Sequence, residues 1–206
     1  MDTTSSRIIS AISRIGSVLR SGMWEFATSE NLNPAQADIL QLLHSRPHGV
    51  RLSWLARQLS VSAASASDSV AALVAKGLVR KARALDDGRA SDLHLTEAGR
   101  DMARRLAGAT GFADEAVARL SPQAQEQLLG GLLQVIGQLQ KTERFPELRA
   151  CLSCKHFQPD RHPGTAAPHH CGLVDAPLAV AMLRIDCPDH QAAEPAQQSR
   201  NWQALA

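Results

Sequence analysis

Four cysteines carry the only clear metal chemistry in this sequence, and all of them fall within residues 151–187. Their spacing is C-x2-C-x16-C-x15-C, at Cys151, Cys154, Cys171 and Cys187. The tight C-x2-C knuckle can aim two thiolates at one centre, and four thiolates complete the shell of tetrahedral zinc or of a cubane iron–sulfur cluster. Zinc is the first expectation, because a structural ion would hold together an appendage of ~40 residues too small for a core of its own. The iron–sulfur alternative rests on Cys187-Pro188, the dipeptide that closes ferredoxin motifs. Against zinc, the second pair is split by fifteen residues rather than forming another knuckle. Unliganded thiols or two disulfides are the bland alternative, which a reducing compartment disfavours. His156, His162, His169, His170 and His190 lie in or beside the stretch. Of these, His156, His170 and His190 are candidates to replace one thiolate or to donate a hydrogen bond to it.

A body of 150 cysteine-free residues precedes this cluster. Apolar residues make up 44% of the chain and aromatic residues only 3%, with no tyrosine, so its core must be aliphatic and its elements mainly helical. No run approaches bilayer-spanning length. The N-terminus lacks the compact apolar core of a secretory signal, so a cytoplasmic protein without a membrane partner is expected. The body contains no nucleotide-binding loop, Gly-x-Ser-x-Gly or HExxH. His44, His48 and His94 stand isolated, and no enzyme activity is expected.

The predicted elements follow in order. Ile8, Ile12, Ile15, Leu19, Met23 and Phe26 recur at helical spacing, which predicts one long helix over 5–27 with an apolar stripe. That stripe suits a core or a partner subunit equally. Asn33 and Pro34 predict the cap and first residue of a second helix to Arg46, burying Ala37, Leu40 and Leu43. RLSWLARQLSV and AASASDSVAALVAKG predict two short helices joined at Ser60–Ser62, the second capped by Ser62 and stopped by Gly77. Their inner faces are Leu52, Leu55, Ala56 and Leu59, then Ala66, Val70, Leu73 and Val74. Two helices so joined suggest a helix-turn-helix. LVRKARAL and LHLT then read as strands around the turn Asp86-Asp87-Gly88. A helix-turn-helix running into a hairpin with an arginine near its tip is the layout of a winged helix.

The segment from Asp87 to Gly99, DGRASDLHLTEAG, resembles the wing signature of the MarR family, D-x-R-x-x-x-L-x-L-T-x-x-G. KGLVRK at 76–81 is similar to the end of that family's recognition helix and its first wing strand. The resemblance extends over roughly 5–142. It implies a homodimeric winged-helix transcriptional regulator acting on double-stranded DNA. Its terminal helices would form the dimer interface, its recognition helix would lie in the major groove, and its wing arginine, Arg89, would enter the minor groove.

Charge agrees with that reading. Between Arg46 and Arg105 eleven Lys and Arg stand against six acids, while the rest of the chain is net acidic. Positive charge is thus gathered where phosphate binding needs it. The candidate DNA-binding residues are Arg89, Asp87 (which would orient Arg89), Ser62, Ser65, Ser67, Arg51, Arg80 and Lys81. One departure stands out: the recognition helix has no cation before Lys76, and Asp68 occupies a place where family members commonly carry arginine.

Ser121-Pro122 predicts the start of a last long helix, with Leu128, Leu129, Leu132, Leu133, Val135, Ile136 and Leu139 as its apolar face. Pairing with the first helix across a twofold axis would bury that face, and a palindromic operator would follow. The expected architecture is mainly α with a small β-hairpin. It comprises a dimerisation helix (1–30), a winged helix-turn-helix (31–100), further dimerisation helices (101–145), a cysteine-rich metal-binding segment (146–190) and a loose tail (191–206). Residues 174–184 are expected to be helical. The function expected is that of a dimeric DNA-binding regulator, a repressor, answering to a small-molecule effector or to the state of the cysteine site. A protein-interaction scaffold with a structural zinc module is the alternative.

Overall fold

The computed structural model describes residues 3–83, 91–142 and 148–205, and the chain divides into two units, 1–116 and 117–206. The first unit opens with α1 (Thr4–Ser29), whose first turn is capped by the Thr3 hydroxyl accepting from the Ser6 amide. Asn31, in the left-handed region at φ 57°, turns the chain into α2 (Pro34–His44). Asn33 and Gln36 close a reciprocal capping box there, at 2.9 and 3.3 Å. β1 (Val50–Arg51) leads into α3 (Leu52–Gln58) and α4 (Ala63–Ala75). Strands β2 (Val79–Arg83) and β3 (Ser91–Leu95) precede α5 (Glu97–Gly108) and α6 (Gly111–Ala118).

The three strands form one antiparallel sheet in the order β1-β3-β2. Val50 pairs with Leu93, and Val79 with Leu95, so four apolar side chains of the sheet face the same core. α2 adds Ala37, Ile39, Leu40 and Leu43, α3 adds Leu55, α4 adds Val70 and Leu73, and α5 adds Ala103 and Leu106. Ala66 is buried as expected, but Val74 is 38% exposed: it lies off the inward stripe of α4. Leu52 and Leu59 pack at the core's edge.

The stripe of α1 has two fates. Met23 and Phe26 pack against the core, whereas Ile8 and Ile15 are 49% and 59% exposed, and Ile9, Ile12 and Val18 are exposed beside them.

Thr96 welds the sheet to α5. Its amide donates to the Leu78 carbonyl (3.1 Å), its hydroxyl donates to the Gly77 carbonyl (2.6 Å), and that same hydroxyl accepts from the Gly99 amide (3.0 Å). Gly77, at φ 70°, ends α4 in a conformation that favours glycine. Thr96→Ala should cost the first unit about 1–2 kcal/mol, read as a lowered urea midpoint. An unchanged midpoint would mean that the hydroxyl bonds contribute nothing net.

The second unit begins with α7 (Pro122–Gln140), capped by Ser121 with proline in its first turn, as expected. Leu133 is buried together with Leu152, Cys154, Phe157, Leu178 and Leu183, with Leu129 and Trp202 packed alongside. So one face of α7, expected to wait for a partner chain, covers the cysteine-rich segment instead. Leu128 and Leu139 stay exposed. A second small antiparallel sheet runs β4 (Phe157–Gln158), β5 (His169–Cys171), β6 (Ala176–Leu178). The helix expected over 174–184 is therefore replaced by β6 and a 3₁₀ turn at Val180–Met182. Its apolar residues are recruited by pairing with β5, where Leu178 lies opposite His169.

The tail is not loose. α8 (Pro195–Gln203) places Asn201 and Trp202 against the unit's core, and a methyl group at Gly137 would lie 2.7 Å from the Trp202 ring.

Candidate nucleic-acid interface and thiol site

α3 and α4 are joined by a tight turn in which Ser60 takes φ 54° and the Val61 amide donates to the Ala56 carbonyl. Ser62 caps α4, its hydroxyl accepting from the Ser65 amide (3.1 Å) and bonding the Ser65 hydroxyl (2.9 Å). Ser65, Asp68 and Ala71 lie on the exposed side, whereas Ser67 is half-buried. The outward face of α4 is thus made of small residues and one carboxylate. It permits close approach of a backbone and supplies hydroxyl donors but no cation.

Cations come from the sheet. Arg80, Lys81 and Arg83 are exposed along β2, opposite His94, Leu93 and Ser91 of β3. Exposed Arg57 on α3 adds another. Several cations in this region have structural partners. Arg51 Nε lies 3.0 Å from Asp92, joining β1 to β3, so its guanidinium is half-withdrawn from solvent. Arg105 pairs with Glu30 and lies over Phe26, Arg104 pairs with Asp101, and Arg46 stacks on Trp54 at 5.2 Å. Lys76 donates to the Gln36 side chain and the Asn31 carbonyl, pinning the end of α4 to the start of α2. Asp87 and Arg89 lie outside the described residues.

The fold on these facts is a winged helix-turn-helix. Residues 30–90 match the MarR family. The chain is similar to a MarR-family transcriptional regulator from Silicibacter pomeroyi at 24% identity, over 67% of this chain and 93% of that one, with a TM-score of 0.57. It is also similar to FabT of Streptococcus pneumoniae, solved in complex with DNA, at 20% identity over 67% of this chain and 99% of that one, TM-score 0.56. A third relative in structure is a MarR transcriptional regulator from Methanosarcina mazei, at 17% identity over 66% and 97%, TM-score 0.55. These likenesses establish the fold. No curated protein sequence matches the chain. No described helix is long and apolar enough to cross a membrane.

In the second unit the four cysteines come together. Cys151 opens a 3₁₀ turn (Cys151–Ser153), and Cys154 ends it by donating its amide to the Cys151 carbonyl. Cys171 closes β5 opposite Phe157. Cys187 is held by its amide donating to the Arg149 carbonyl, beside the bridge between Arg149 and Asp186. All four thiols are free and line one small cavity of about 30 Å³, together with His156, Phe157, Leu173, Leu178 and Asp189. Among the described residues, no three His, Cys, Asp or Glu side chains are grouped to hold a metal ion. Burial pushes the Cys151 thiol up; a hydrogen bond from the Arg184 amide (3.3 Å) opposes this, and the other three thiols add to it.

The candidate histidines separate. Only His156 faces the cavity, and its Nε2 is buried without a hydrogen-bond partner among the described residues. His190 bonds Ser153 (2.9 Å). His170 joins a chain that the sequence did not reveal, with His162 at 3.1 Å and Asp175 at 3.0 Å. Only the dense run of histidines hinted at it. His169 is buried against Phe157 and accepts from the Asp160 amide (3.3 Å). Burial holds its pKa below the usual range, with Asp160 partly countering.

Proposed function

We propose that the chain is a sequence-specific DNA-binding transcriptional regulator, working as a homodimer and as a repressor on a palindromic operator. The observation that carries this is the winged helix-turn-helix with α4 outward and a row of exposed cations on β2 beside it. An α-helix presented in this way fits the major groove, and cations on the adjoining strand fit the flanking phosphates. Arg89, between β2 and β3 in sequence, supplies the charge for the minor groove. The DNA-bound state of FabT, which shares this fold, supports the same reading. Lacking a cation on its outer face, α4 reads bases through Ser65 and close apolar contact, while the wing and β2 supply much of the affinity. The regulator's response is to an effector or to the state of the thiol site.

Fluorescence anisotropy of the full-length chain on fragments from upstream of its own gene tests this. Arg89→Ala should weaken operator binding by about 10- to 100-fold without moving the thermal midpoint. Arg80→Ala should weaken specific and nonspecific DNA alike and flatten the salt dependence by about one unit of slope. Unchanged affinity in both variants would overturn the wing-and-strand account.

A further inference from the structure

The four-cysteine cavity is the strongest unexplained feature of the molecule. A single zinc ion with Zn–S bonds of about 2.3 Å draws four sulfurs to within ~3.8 Å of one another and leaves no void between them. Here the four cysteines line one cavity, and among the described residues no three His, Cys, Asp or Glu are grouped to hold a single metal ion. By the same measure a cavity of about 10–15 Å³ already admits one water. This one is about 30 Å³, yet Phe157, Leu173 and Leu178 line it, and water would find few polar partners there. Well-packed interiors do not keep such space without a reason. A cubane iron–sulfur core spreads its four cysteine sulfurs to ~6 Å apart and fills the space between them with iron and sulfide.

Two further details fit such an occupant. The Arg184 amide already points at the Cys151 sulfur, an N–H···S bond of the kind that stabilises a cluster's negative charge. His156 Nε2, buried at the cavity wall with no partner, would gain one in a cluster sulfur.

We propose that Cys151, Cys154, Cys171 and Cys187 ligate one [4Fe–4S] cluster, with His156 as a hydrogen-bond donor to it. On assembly each thiol gives up its proton and its sulfur bonds one iron; the sulfide and equal parts of ferrous and ferric iron come from outside the chain, so the core forms without a separate oxidant. The inference stands independently of DNA binding, since its readouts are metal content and spectra.

The full-length chain is purified without oxygen, or its metal-free form is supplied with ferrous and ferric iron and sulfide, and then analysed for metal, acid-labile sulfide and visible absorption. The expected result is a brown protein with about four irons and four sulfides per chain. Cys171→Ser and Cys187→Ser should each lose most of both. His156→Leu should keep the cluster but shift its reduction potential downward, because a donor to the reduced, more negative state is gone. A colourless protein with one zinc per chain and no labile sulfide overturns the proposal, and so does a chain that retains neither metal. Two irons and two sulfides per chain overturn the cubane assignment. An unshifted potential in His156→Leu overturns the part given to His156.

Discussion

Ile8→Glu combined with Ile15→Glu should leave the chain monomeric at micromolar concentration and weaken operator binding by about 100-fold or more. Both residues sit on the α1 stripe whose later members, Met23 and Phe26, are already packed in the first unit's core. The stripe does not change character along its length; the monomer simply stops covering it, leaving Ile8, Ile12 and Ile15 exposed, with Ile9 and Val18 exposed on its two flanks. A run of five large apolar residues along three turns is more than a soluble surface usually leaves bare. Burying each isoleucine against the proposed second copy is worth roughly 2 kcal/mol, and a glutamate there would bring an unpaired charge into that proposed interface. Both substitutions lie in the half of α1 remote from the core, so the first unit's melting should change little once the monomer is compared with itself at different concentrations. Sedimentation velocity reads the assembly state. A double variant that still sediments as a dimer would show that α1 is not the interface.

Gly99→Ala should unfold the first unit at a markedly lower temperature. A methyl group at Gly99 would stand 1.9 Å from the Leu78 carbonyl oxygen, which is backbone and itself accepts from the Thr96 amide. Neither partner can yield without breaking the junction of β2, β3 and α5. Overpacking of this kind costs about 3 kcal/mol or more, which in a domain of this size lowers the midpoint by roughly 12 °C or more. Gly108→Ala is the matched control: it lies in the same helix, meets nothing within 4 Å, and should be neutral or slightly stabilising. Equal melting of the two variants would mean that the close approach at Gly99 is not a constraint.

The Gly99 contact also shows why part of the fold was legible in sequence. The wing signature's glycine and threonine are demanded by geometry: Thr96 caps α5 and ties it to Gly77, and Gly99 lets the helix touch the strand. The caps at Asn33, Ser62, Thr96 and Ser121 and the stop at Gly77 were readable for the same reason, since each satisfies a local backbone need. Elements set by distant partners were not. β1 is two residues long, and only its pairing with Leu93 and Asp92 makes it a strand. β6 contains Pro177 and takes its form from β5. The polar tail around Asn201 and Trp202 becomes α8 because a cleft at Gly137 receives the indole.

The candidate sites divide in the same way. Cysteine spacing pointed to one metal site; the four cysteines line one cavity, and among the described residues no three ligands are grouped to hold a metal ion. It could not foretell that His156 rather than His170 or His190 would line that cavity. For DNA, the sequence counted cations without knowing their partners. Arg51, Arg104 and Arg105 pair with Asp92, Asp101 and Glu30, and Arg80, Lys81 and Arg83 are exposed along β2.

Whether the winged helix reads DNA is measured most directly by the salt dependence of full-length chain binding to upstream fragments and to a scrambled duplex of equal length. One fragment should bind at least ~1,000-fold more tightly than the scrambled duplex, with affinity falling steeply as salt rises. Equal affinity for every duplex across the salt range, or no binding at low salt, would contradict it.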